Sequence, residues 1–322
     1  MINLVALKDL DTNDFVIKWR LTKYCNVHCS YCIRHEHPAY TKEDIEADEE
    51  RLCTAAKKLY DLIERTPFNN VKIDLIGGEV SIFDLKKILS NISTKKLKRI
   101  NMTTNIIKSA DYYVSLAEFL KSQDIEFTVT ASFHYEFQSA EIYFDKVKKL
   151  IPICKLFVCE MVSTDDNQDI CKNFIKECES LNVDYMVESD LRLEKTGERK
   201  NYISVVNKRF KNPRYHAYFS DGSEKIYGSR NSFLCDKEVD CNVMQNRVNV
   251  RGWYCTNSYN YIYVDFNFIR GKIDEKSDCR QIIQLEDFNI VNPSPCHAES
   301  CTICGHMSLY KTKEKMNDDI FC

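Results

Sequence analysis

The sequence predicts an α/β fold: a partial (β/α)6 TIM-type barrel followed by a small cysteine-rich C-terminal extension. From residue 15 to about residue 189, strand-like segments alternate with amphipathic, helix-like segments. Repeated βα units with short connections indicate parallel strands and right-handed crossovers. After about residue 232, aromatic residues and cysteines replace this regular alternation, which predicts a separate extension.

Six segments have the composition of strands because they are rich in Val, Ile, Phe, Tyr or Thr. They cover residues 15–22, 71–76, 98–104, 126–132, 155–162 and 182–188. Between them, apolar residues recur at helical spacing, as in Leu52, Leu59 and Ile63. We therefore predict six strands with five intervening helices.

The alternation of side chains favours a barrel over a doubly wound sheet. Phe15 and Ile17 share one face of the first strand, whereas Lys18 and Arg20 share the other. Later strands also have one polar face, but a parallel sheet covered on both sides should read as near-continuous apolar runs. The polar faces predict a barrel lumen that binds polar ligands. The alternative is that some of these segments are edge strands or are wrongly assigned.

Four regions follow from this pattern. We predict the barrel over residues 1–195, a basic linker over 196–232, an auxiliary-cluster domain over 233–310 and a tail over 311–322. We place the end of the barrel in the basic stretch 192–214, which contains eight Lys or Arg and two Glu. This stretch is either a clamp for an acidic or phosphorylated substrate or a solvated linker.

Composition excludes several classes of protein. The chain has 322 residues, 45 Lys or Arg and 48 Asp or Glu, and its net charge of -3 provides no global basic footprint for nucleic acid. We find neither the pattern of a secretory signal at the N-terminus nor a run of 18 apolar residues. We therefore expect a cytoplasmic protein with no membrane partner and no nucleic-acid partner.

The sixteen cysteines suggest either disulfides or metal. Disulfide frameworks belong mainly to small secreted domains, whereas this long chain groups cysteines at CxxxCxxC and CxxC spacings. Metal ligation is therefore the better interpretation. Other cysteines are predicted to be small buried hydrophobic residues; they are Cys53, Cys154, Cys159, Cys171 and Cys178.

The motif CxxxCxxC is formed by Cys25, Cys29 and Cys32 directly after the first predicted strand. Barrel enzymes keep their active sites at this end of the strands. A [4Fe-4S] cluster normally takes four cysteines, so three cysteines leave one iron open. The order and context of the motif resemble the radical S-adenosylmethionine (SAM) superfamily. The resemblance implies that the three cysteines hold a [4Fe-4S] cluster and that SAM chelates the fourth iron.

A zinc knuckle is the alternative for these three cysteines, and it needs a fourth protein ligand in tetrahedral geometry. Histidines near the motif that can supply this ligand are His28, His35 and His37.

Two more motifs follow the next strands. Gly77-Gly78-Glu79 comes after the second strand, and Asn105 ends the third. Glycines let the backbone approach a ligand closely, and a carboxylate can accept hydrogen bonds from an ammonium group. The resemblance implies that Gly77-Gly78-Glu79 holds the methionine amino group of SAM and places Asn105 among the cofactor-binding residues. This chain has Val80 where the family often has proline.

The fourth strand places Ser132 and His134 on one polar side near the strand end. The resemblance implies that Ser132 contacts the ribose or carboxylate of SAM and that His134 lies on the substrate side of the cofactor. It also places Tyr31 near the adenine. The alternative for His134 is a core histidine whose hydrogen bonds are satisfied within the protein. The alternative for Tyr31 is ordinary packing against neighbouring side chains.

Cysteines near the C-terminus predict a second metal site. A hairpin is predicted over residues 261–272, between Cys255 and Cys279, and a CxxC pair follows later. This arrangement resembles the SPASM and twitch extensions of radical SAM enzymes, which carry auxiliary [4Fe-4S] clusters. The implied ligands are Cys255, Cys279, Cys301 and Cys304, with Cys296 as the main competitor. Two alternatives are an earlier hairpin flanked by Cys241 and Cys255 and a zinc site closed by four cysteines.

The resemblance implies a radical SAM oxidoreductase that reductively cleaves SAM to a 5'-deoxyadenosyl radical. This radical would abstract hydrogen from a peptide side chain or a small polar metabolite. The auxiliary cluster would assist electron transfer or substrate binding, and an external one-electron reductant such as flavodoxin or ferredoxin would supply electrons. One alternative is radical SAM modification of a nucleotide or nucleic acid, which the basic stretch 192–214 motivates. The other is a non-catalytic zinc or iron-sulfur module.

Overall fold

The computed structural model describes residues 4–8, 14–32, 38–190, 205–206, 215–219, 221–227, 251–277, 279, 281–297 and 311–312. The strands are β1 Leu4–Lys8, β2 Phe15–Arg20, β3 Val71–Ile76, β4 Leu97–Thr104, β5 Glu126–Ser132, β6 Leu156–Ser163, β7 Asp184–Ser189, β8 Val205–Val206, β9 Tyr215–Phe219, β10 Glu224–Tyr227, β11 Tyr254–Cys255, β12 Tyr261–Asp265, β13 Phe268–Gly271, β14 Gln281–Gln284, β15 Ser294–Pro295 and β16 Lys311–Thr312. The α-helices are α1 Lys42–Arg65, α2 Leu85–Leu89, α3 Ala110–Ser122, α4 Ala140–Leu150 and α5 Gln168–Ser180.

The core of the fold is a parallel sheet with strands β2 to β7 side by side in chain order. The pairs β4–β5, β5–β6 and β6–β7 are parallel and in continuous register. A helix precedes each of β3 to β7, as βα units require. This arrangement confirms the predicted fold class, a partial TIM-type barrel, and the six predicted strands.

Burial alternates along the strands as the sequence predicts. Phe15, Ile17 and Trp19 are fully buried, and the residues that alternate with them along β2 are half-buried. On the polar side of β4 and β5, the Thr128 hydroxyl donates to Oδ1 of Asn101 over 2.9 Å. The polar side chains of Asn101 and Thr128 therefore bond to each other between these two strands.

Helix α1 begins at a reciprocal cap. The backbone N–H of Asp44 donates to the Thr41 hydroxyl over 3.1 Å, and the N–H of Thr41 donates to the Asp44 carboxylate over 2.8 Å. This is the capping-box geometry, which satisfies two backbone donors at a helix start. The cap fixes the point where the chain enters the helix after the cysteine motif.

The predicted hairpin is confirmed, but it does not form a separate sheet. Strands β12 and β13 pair with Val264 opposite Ile269, and the sheet order continues as β14-β13-β12-β2. The indole N–H of Trp19 donates to the carbonyl of Phe266 in the hairpin turn over 2.8 Å. The hairpin thus extends the edge of the barrel sheet.

A second sheet has the order β10-β9-β1-β16-β11-β15. Strand β1 pairs antiparallel with β9 and with β16, so residues assigned to the barrel, the linker and the tail share one sheet. Contacts divide the chain into two compact units that are discontinuous in sequence. One comprises residues 1–19, 58–72 and 210–322, and the other comprises 20–57 and 73–209.

Five cysteines are predicted from the sequence to be small buried hydrophobic residues, and the structure describes all of them. Cys159, Cys171 and Cys178 are fully buried, the last two on α5, whereas Cys53 and Cys154 are half-buried. Among the helices that the structure describes, none is long and apolar enough to cross a membrane.

Candidate functional site

The cysteine motif lies in a loop, residues 25–32, directly after β2. Its entry is fixed by backbone hydrogen bonds to the loop after β3: Gly78 N–H donates to Thr22 O over 3.0 Å, and Glu79 N–H donates to Tyr24 O over 2.8 Å. These bonds hold the residues before Cys25 against the carboxyl end of β3. We call residues 25–32 the cysteine loop.

The two glycines of the Gly77-Gly78-Glu79 motif make this close approach possible. A Cβ atom on Gly78 would lie 1.9 Å from the carbonyl oxygen of Tyr24, and one on Gly77 would lie 2.9 Å from that of Thr22. The space that their side chains would need is therefore filled by the backbone that leads into the cysteine loop. The sequence predicts that a ligand approaches the backbone at these glycines; in the structure, the protein's own backbone occupies this space.

Glu79 is only 1% exposed, and its carboxylate has three protein donors. Oε1 accepts from Ser81 N over 2.8 Å and from the Thr104 hydroxyl over 2.7 Å, and Oε2 accepts from Asn105 N over 2.7 Å. Burial raises the pKa of Glu79, and these hydrogen bonds act in the opposite direction. The side chain thus joins the end of β3 to the end of β4, and its contact with an ammonium group stays a prediction.

Asn105 connects the end of β4 to the cysteine loop. Its Nδ2 donates to Oδ1 of Asn26 over 2.7 Å, and its Oδ1 accepts from Ile107 N over 3.1 Å. The Asn105 carbonyl accepts from Nε2 of Gln138 over 2.8 Å. Sequence reasoning identified Asn105 but missed Asn26, which lies within the cysteine motif and gave no separate signal.

The residues after β5 form a third contact with the cysteine loop. Nδ1 of His134 lies 3.1 Å from Sγ of Cys29 and 3.1 Å from the Tyr31 hydroxyl. Ser30 donates to the Glu136 carboxylate from its backbone N–H over 2.8 Å and from its hydroxyl over 2.5 Å. Sequence reasoning missed Glu136, although an acidic residue just past a barrel strand is a signal that could have found it.

Aromatic packing completes this third contact. The ring of Tyr31 stacks on Tyr135 with centroids 5.4 Å apart and lies nearly parallel to the His134 ring at 6.0 Å. Val27, Cys29 and Tyr31 are buried together. Tyr31 thus packs against protein rings, and its predicted contact with an adenine stays a prediction.

The three thiols of the motif differ in environment. Cys29 is buried, whereas Cys25 and Cys32 are half-buried. Burial raises the pKa of Cys29 to about 12 and that of Cys25 to about 11; Cys32 raises both pKa values further, and Cys25 also raises that of Cys29. Cys25 and Cys32 both pack against the buried cluster that contains Cys29, so the three thiols belong to one group. Thiolates in such a group need bound cations to be stable at neutral pH.

This donor set fits a [4Fe-4S] cluster with three protein ligands, because thiolates are the ligands of such clusters and three of them share one short loop. Within the described part of the chain, no three His, Cys, Asp or Glu side chains converge so as to hold a single metal ion.

Ser132 and His134 lie at the same end of β5. The Ser132 hydroxyl is 3.5 Å from Oε2 of Glu160 on β6. Burial lowers the pKa of His134 to about 4, so the imidazole is neutral at pH 7. Sequence reasoning did not identify Glu160, which adds a carboxylate to the polar face beside Ser132.

Among the C-terminal cysteines, Cys255 lies on β11, and Cys296 directly follows β15, which pairs with β11. Cys255 lies opposite Ser294, and Cys296 N–H donates to Trp253 O over 2.8 Å. Alternate residues of a strand share a face, so Cys255 and Cys296 are diagonal neighbours on one face. Cys279 is buried in the turn region after β13. Cys301 and Cys304, as well as Cys241, lie outside the described residues.

A buried lysine lies beside this strand pair. Lys272 is 1% exposed, and its ammonium donates to the Ser294 carbonyl over 2.7 Å and to the Ser294 hydroxyl over 2.9 Å. Among the described residues, these two neutral oxygens are the only hydrogen-bond partners of the Lys272 ammonium. A buried charge is costly without an opposite charge, and Ser294 lies opposite Cys255. Sequence reasoning missed Lys272 because a lysine at a hairpin end is usually exposed.

Comparisons with known proteins give partial likenesses. No family model matches the chain. Over 134 residues it is 30% identical to the probable GTP 3',8-cyclase of Methanothermobacter thermautotrophicus strain Delta H; the match covers 41% of this chain and 41% of that protein. The chain therefore matches less than half the length of this curated relative.

Solved structures that match part of the chain include native anSMEcpe with bound AdoMet and the Kp18Cys peptide, with a TM-score of 0.45 and 14% identity over 84% of this chain and 78% of that chain. The same protein with AdoMet and the Cp18Cys peptide has a TM-score of 0.39 and 13% identity, covering 54% of this chain and 50% of that one. Streptococcus suis SuiB has a TM-score of 0.36 and 18% identity over 61% of this chain and 42% of that chain.

The glycine contacts predict unequal effects of two matched substitutions. We expect Gly78→Ala to lower the free energy of unfolding by about 3 kcal/mol, because the new methyl group meets backbone, and Gly77→Ala to lower it by about 1 kcal/mol. Urea denaturation of the two variants measures the difference. If both variants are as stable as the wild type, the glycines do not seat the cysteine loop.

The buried carboxylate predicts a cost for a neutral isostere. In Glu79→Gln, the amide NH2 group must face one of the three donors, so we expect unfolding to become easier by about 1 to 3 kcal/mol. Glu126→Gln, at an exposed ion pair with Arg99, is the control and should change stability by less than about 1 kcal/mol. If both variants unfold like the wild type, Glu79 does not join the two strand ends.

Proposed function

We propose that the chain is a radical SAM enzyme. The observation that carries this proposal is the cysteine loop, in which three neighbouring thiols are held by the carboxyl ends of β3, β4 and β5. The hydrogen bonds at Glu79, Asn105 and His134 fix it there. The 30% identity with the probable GTP 3',8-cyclase supports the same class. We further propose that this enzyme is an oxidoreductase and that it acts in the cytoplasm.

Cys25, Cys29 and Cys32 are the proposed ligands of a [4Fe-4S] cluster, which leaves one iron for SAM. When bound, the cluster and SAM supply a one-electron reduction of the sulfonium that yields methionine and a 5'-deoxyadenosyl radical. The chain's own residues hold the thiols in place and shield them: Val27 and Tyr31 bury Cys29, and Glu79 and Asn105 fix the loop entry. Exclusion of water protects a reactive radical from side reactions.

SAM would be held by Gly77, Gly78 and Glu79 through their backbone carbonyls rather than through the Glu79 carboxylate. Support comes from the three protein donors that this carboxylate already has. Ser132 and Glu160, at the ends of β5 and β6, offer polar groups for the rest of the cofactor or for the substrate. The roles of Asn105, His134 and Tyr31 are mainly to position the cysteine loop.

The proposed substrate is a peptide side chain or a small polar metabolite. The half-buried polar face of the barrel strands supports this class, because side chains such as Asn101 and Ser132 can bind polar groups. An external one-electron reductant, such as flavodoxin or ferredoxin, is needed for turnover. The basic stretch 192–214, which motivated a nucleic-acid substrate, lies mostly outside the described residues, and the net charge of -3 gives that substrate no support.

An auxiliary [4Fe-4S] cluster near the C-terminus is part of the proposal. Cys255 and Cys296 share one strand face, which favours them as two of its ligands. Cys279, Cys301 and Cys304 are the candidates for the other two. The buried ammonium of Lys272 supports an anionic group here: it bonds to Ser294, which lies opposite Cys255, and a cluster held by four thiolates would carry negative charge.

We expect anaerobically reconstituted wild-type protein, given SAM and dithionite, to produce 5'-deoxyadenosine. Cys25→Ala, Cys29→Ala and Cys32→Ala should each reduce the yield to the background level, because each removes a cluster ligand. Chromatographic quantification of 5'-deoxyadenosine is the measurement. Cys53→Ala removes a half-buried thiol on α1 and should retain the wild-type yield. Iron-replete wild-type protein that forms no 5'-deoxyadenosine would overturn the proposal.

Iron counting tests the second cluster. Two [4Fe-4S] clusters give about eight irons per chain, so the double variant Cys255→Ala/Cys296→Ala should retain about four, and Cys154→Ala should retain about eight. Iron and acid-labile sulfide are measured after anaerobic reconstitution. If the wild-type chain contains about four irons and one zinc ion, the C-terminal site is a zinc site and not an auxiliary cluster.

A further inference from the structure

We propose that His134 is a positioning residue that donates a hydrogen bond from Nδ1 to Sγ of Cys29 and thereby raises the reduction potential of the SAM-binding cluster. This inference rests on the proposed function, because it concerns a cluster bound by Cys29. It assigns to His134 a role toward the cluster, whereas the resemblance placed this residue on the substrate side of SAM.

The backbone fixes His134 at the end of β5. Phe133 N–H donates to Glu160 O over 2.7 Å, and the N–H groups of Phe137 and Gln138 both donate to the His134 carbonyl, over 3.0 and 3.2 Å. The imidazole also lies nearly parallel to the Tyr31 ring. These contacts hold Nδ1 at 3.1 Å from Sγ of Cys29.

The chemistry of the sulfur determines which atom donates. A cysteine sulfur bound to iron is a thiolate and has no proton, so a nitrogen at this distance must present its N–H. An imidazole carries an N–H on at least one of its two ring nitrogens. Among the described residues, Nδ1 is the ring nitrogen with hydrogen-bond partners, which favours the tautomer with the proton on Nδ1.

Tyr31 shares this arrangement. Its hydroxyl lies 3.1 Å from Nδ1 of His134, and its side chain is buried in the same cluster as Cys29. The imidazole therefore approaches the sulfur of Cys29 from a position that Tyr31 supports. Because hydrogen bonds to the sulfurs tune cluster potentials and donors stabilise the more negative reduced state, the His134 donor should make the cluster easier to reduce.

Matched variants separate the hydrogen bond from side-chain size. His134→Asn places an amide N–H near the position of Nδ1, and His134→Gln places it near that of Nε2. His134→Leu removes the donor. The holoenzyme is titrated electrochemically without SAM, and electron paramagnetic resonance reports the SAM-binding cluster, which is recognised because its signal changes when SAM is added.

At the wild-type midpoint potential, we expect the ratio of reduced to oxidised cluster to fall roughly threefold to tenfold in His134→Leu and His134→Gln and to stay near one in His134→Asn. A tenfold change corresponds to about 59 mV for one electron. If the Leu and Gln variants titrate like the wild type, the inference is wrong. It is also wrong if Tyr31→Phe shifts the potential while His134→Leu and His134→Gln do not, because the donor would then be Tyr31.

Iron and sulfide contents distinguish this failure from failure of the proposed function. Wild-type protein that binds no cluster, or forms no 5'-deoxyadenosine, would refute the proposed function. If the wild-type protein binds the cluster and forms 5'-deoxyadenosine, but the Leu and Gln variants have the wild-type potential, only the role of His134 is refuted. If His134→Leu assembles too little cluster to titrate, the comparison between His134→Asn and His134→Gln decides.

Discussion

The buried carboxylate of Glu79 is the interaction on which the candidate site depends. Placing a carboxylate in the interior is costly, and here three donors from Ser81, Thr104 and Asn105 compensate that cost. Hydrogen bonds to a charged group are each worth about 1.5 to 3 kcal/mol, so the carboxylate fixes the ends of β3 and β4 against each other. The backbone N–H of the same residue donates to Tyr24 O, which extends this fixed point to the entrance of the cysteine loop.

The three thiols are consequently held in unequal environments. Cys29 is buried against Val27 and Tyr31 and contacts Nδ1 of His134, whereas Cys25 and Cys32 are half-buried. A rigid, shielded ligand on one side and more exposed ligands on the other suit a centre that must keep its geometry while a cofactor approaches. Rigid support of this kind is what precise metal sites require from the surrounding protein.

Much of the barrel could be predicted from sequence because strand and helix periodicities are local. The bounds of β2 to β7 lie within two residues of the predicted segments. The pairing of β1 with β9 and β16, and the place of the hairpin beside β2, could not be predicted, since contacts between distant segments leave no local pattern. At the site, the motif spacing identified Gly78 and Glu79, but it could not show that the backbone of Tyr24 fills the space at Gly78. Lys272 was missed for a related reason, because a lysine is expected to be exposed until its buried partners are known.

The most direct test is whether SAM binds the cluster held by Cys25, Cys29 and Cys32. Electron–nuclear double resonance of the reduced, reconstituted protein with SAM labelled with 15N at the methionine amino group measures the contact between this nitrogen and the cluster. We predict a 15N coupling in the wild type that disappears when the three cysteines are replaced by alanine. An iron-replete wild-type protein that shows no such coupling would contradict the proposed radical SAM site.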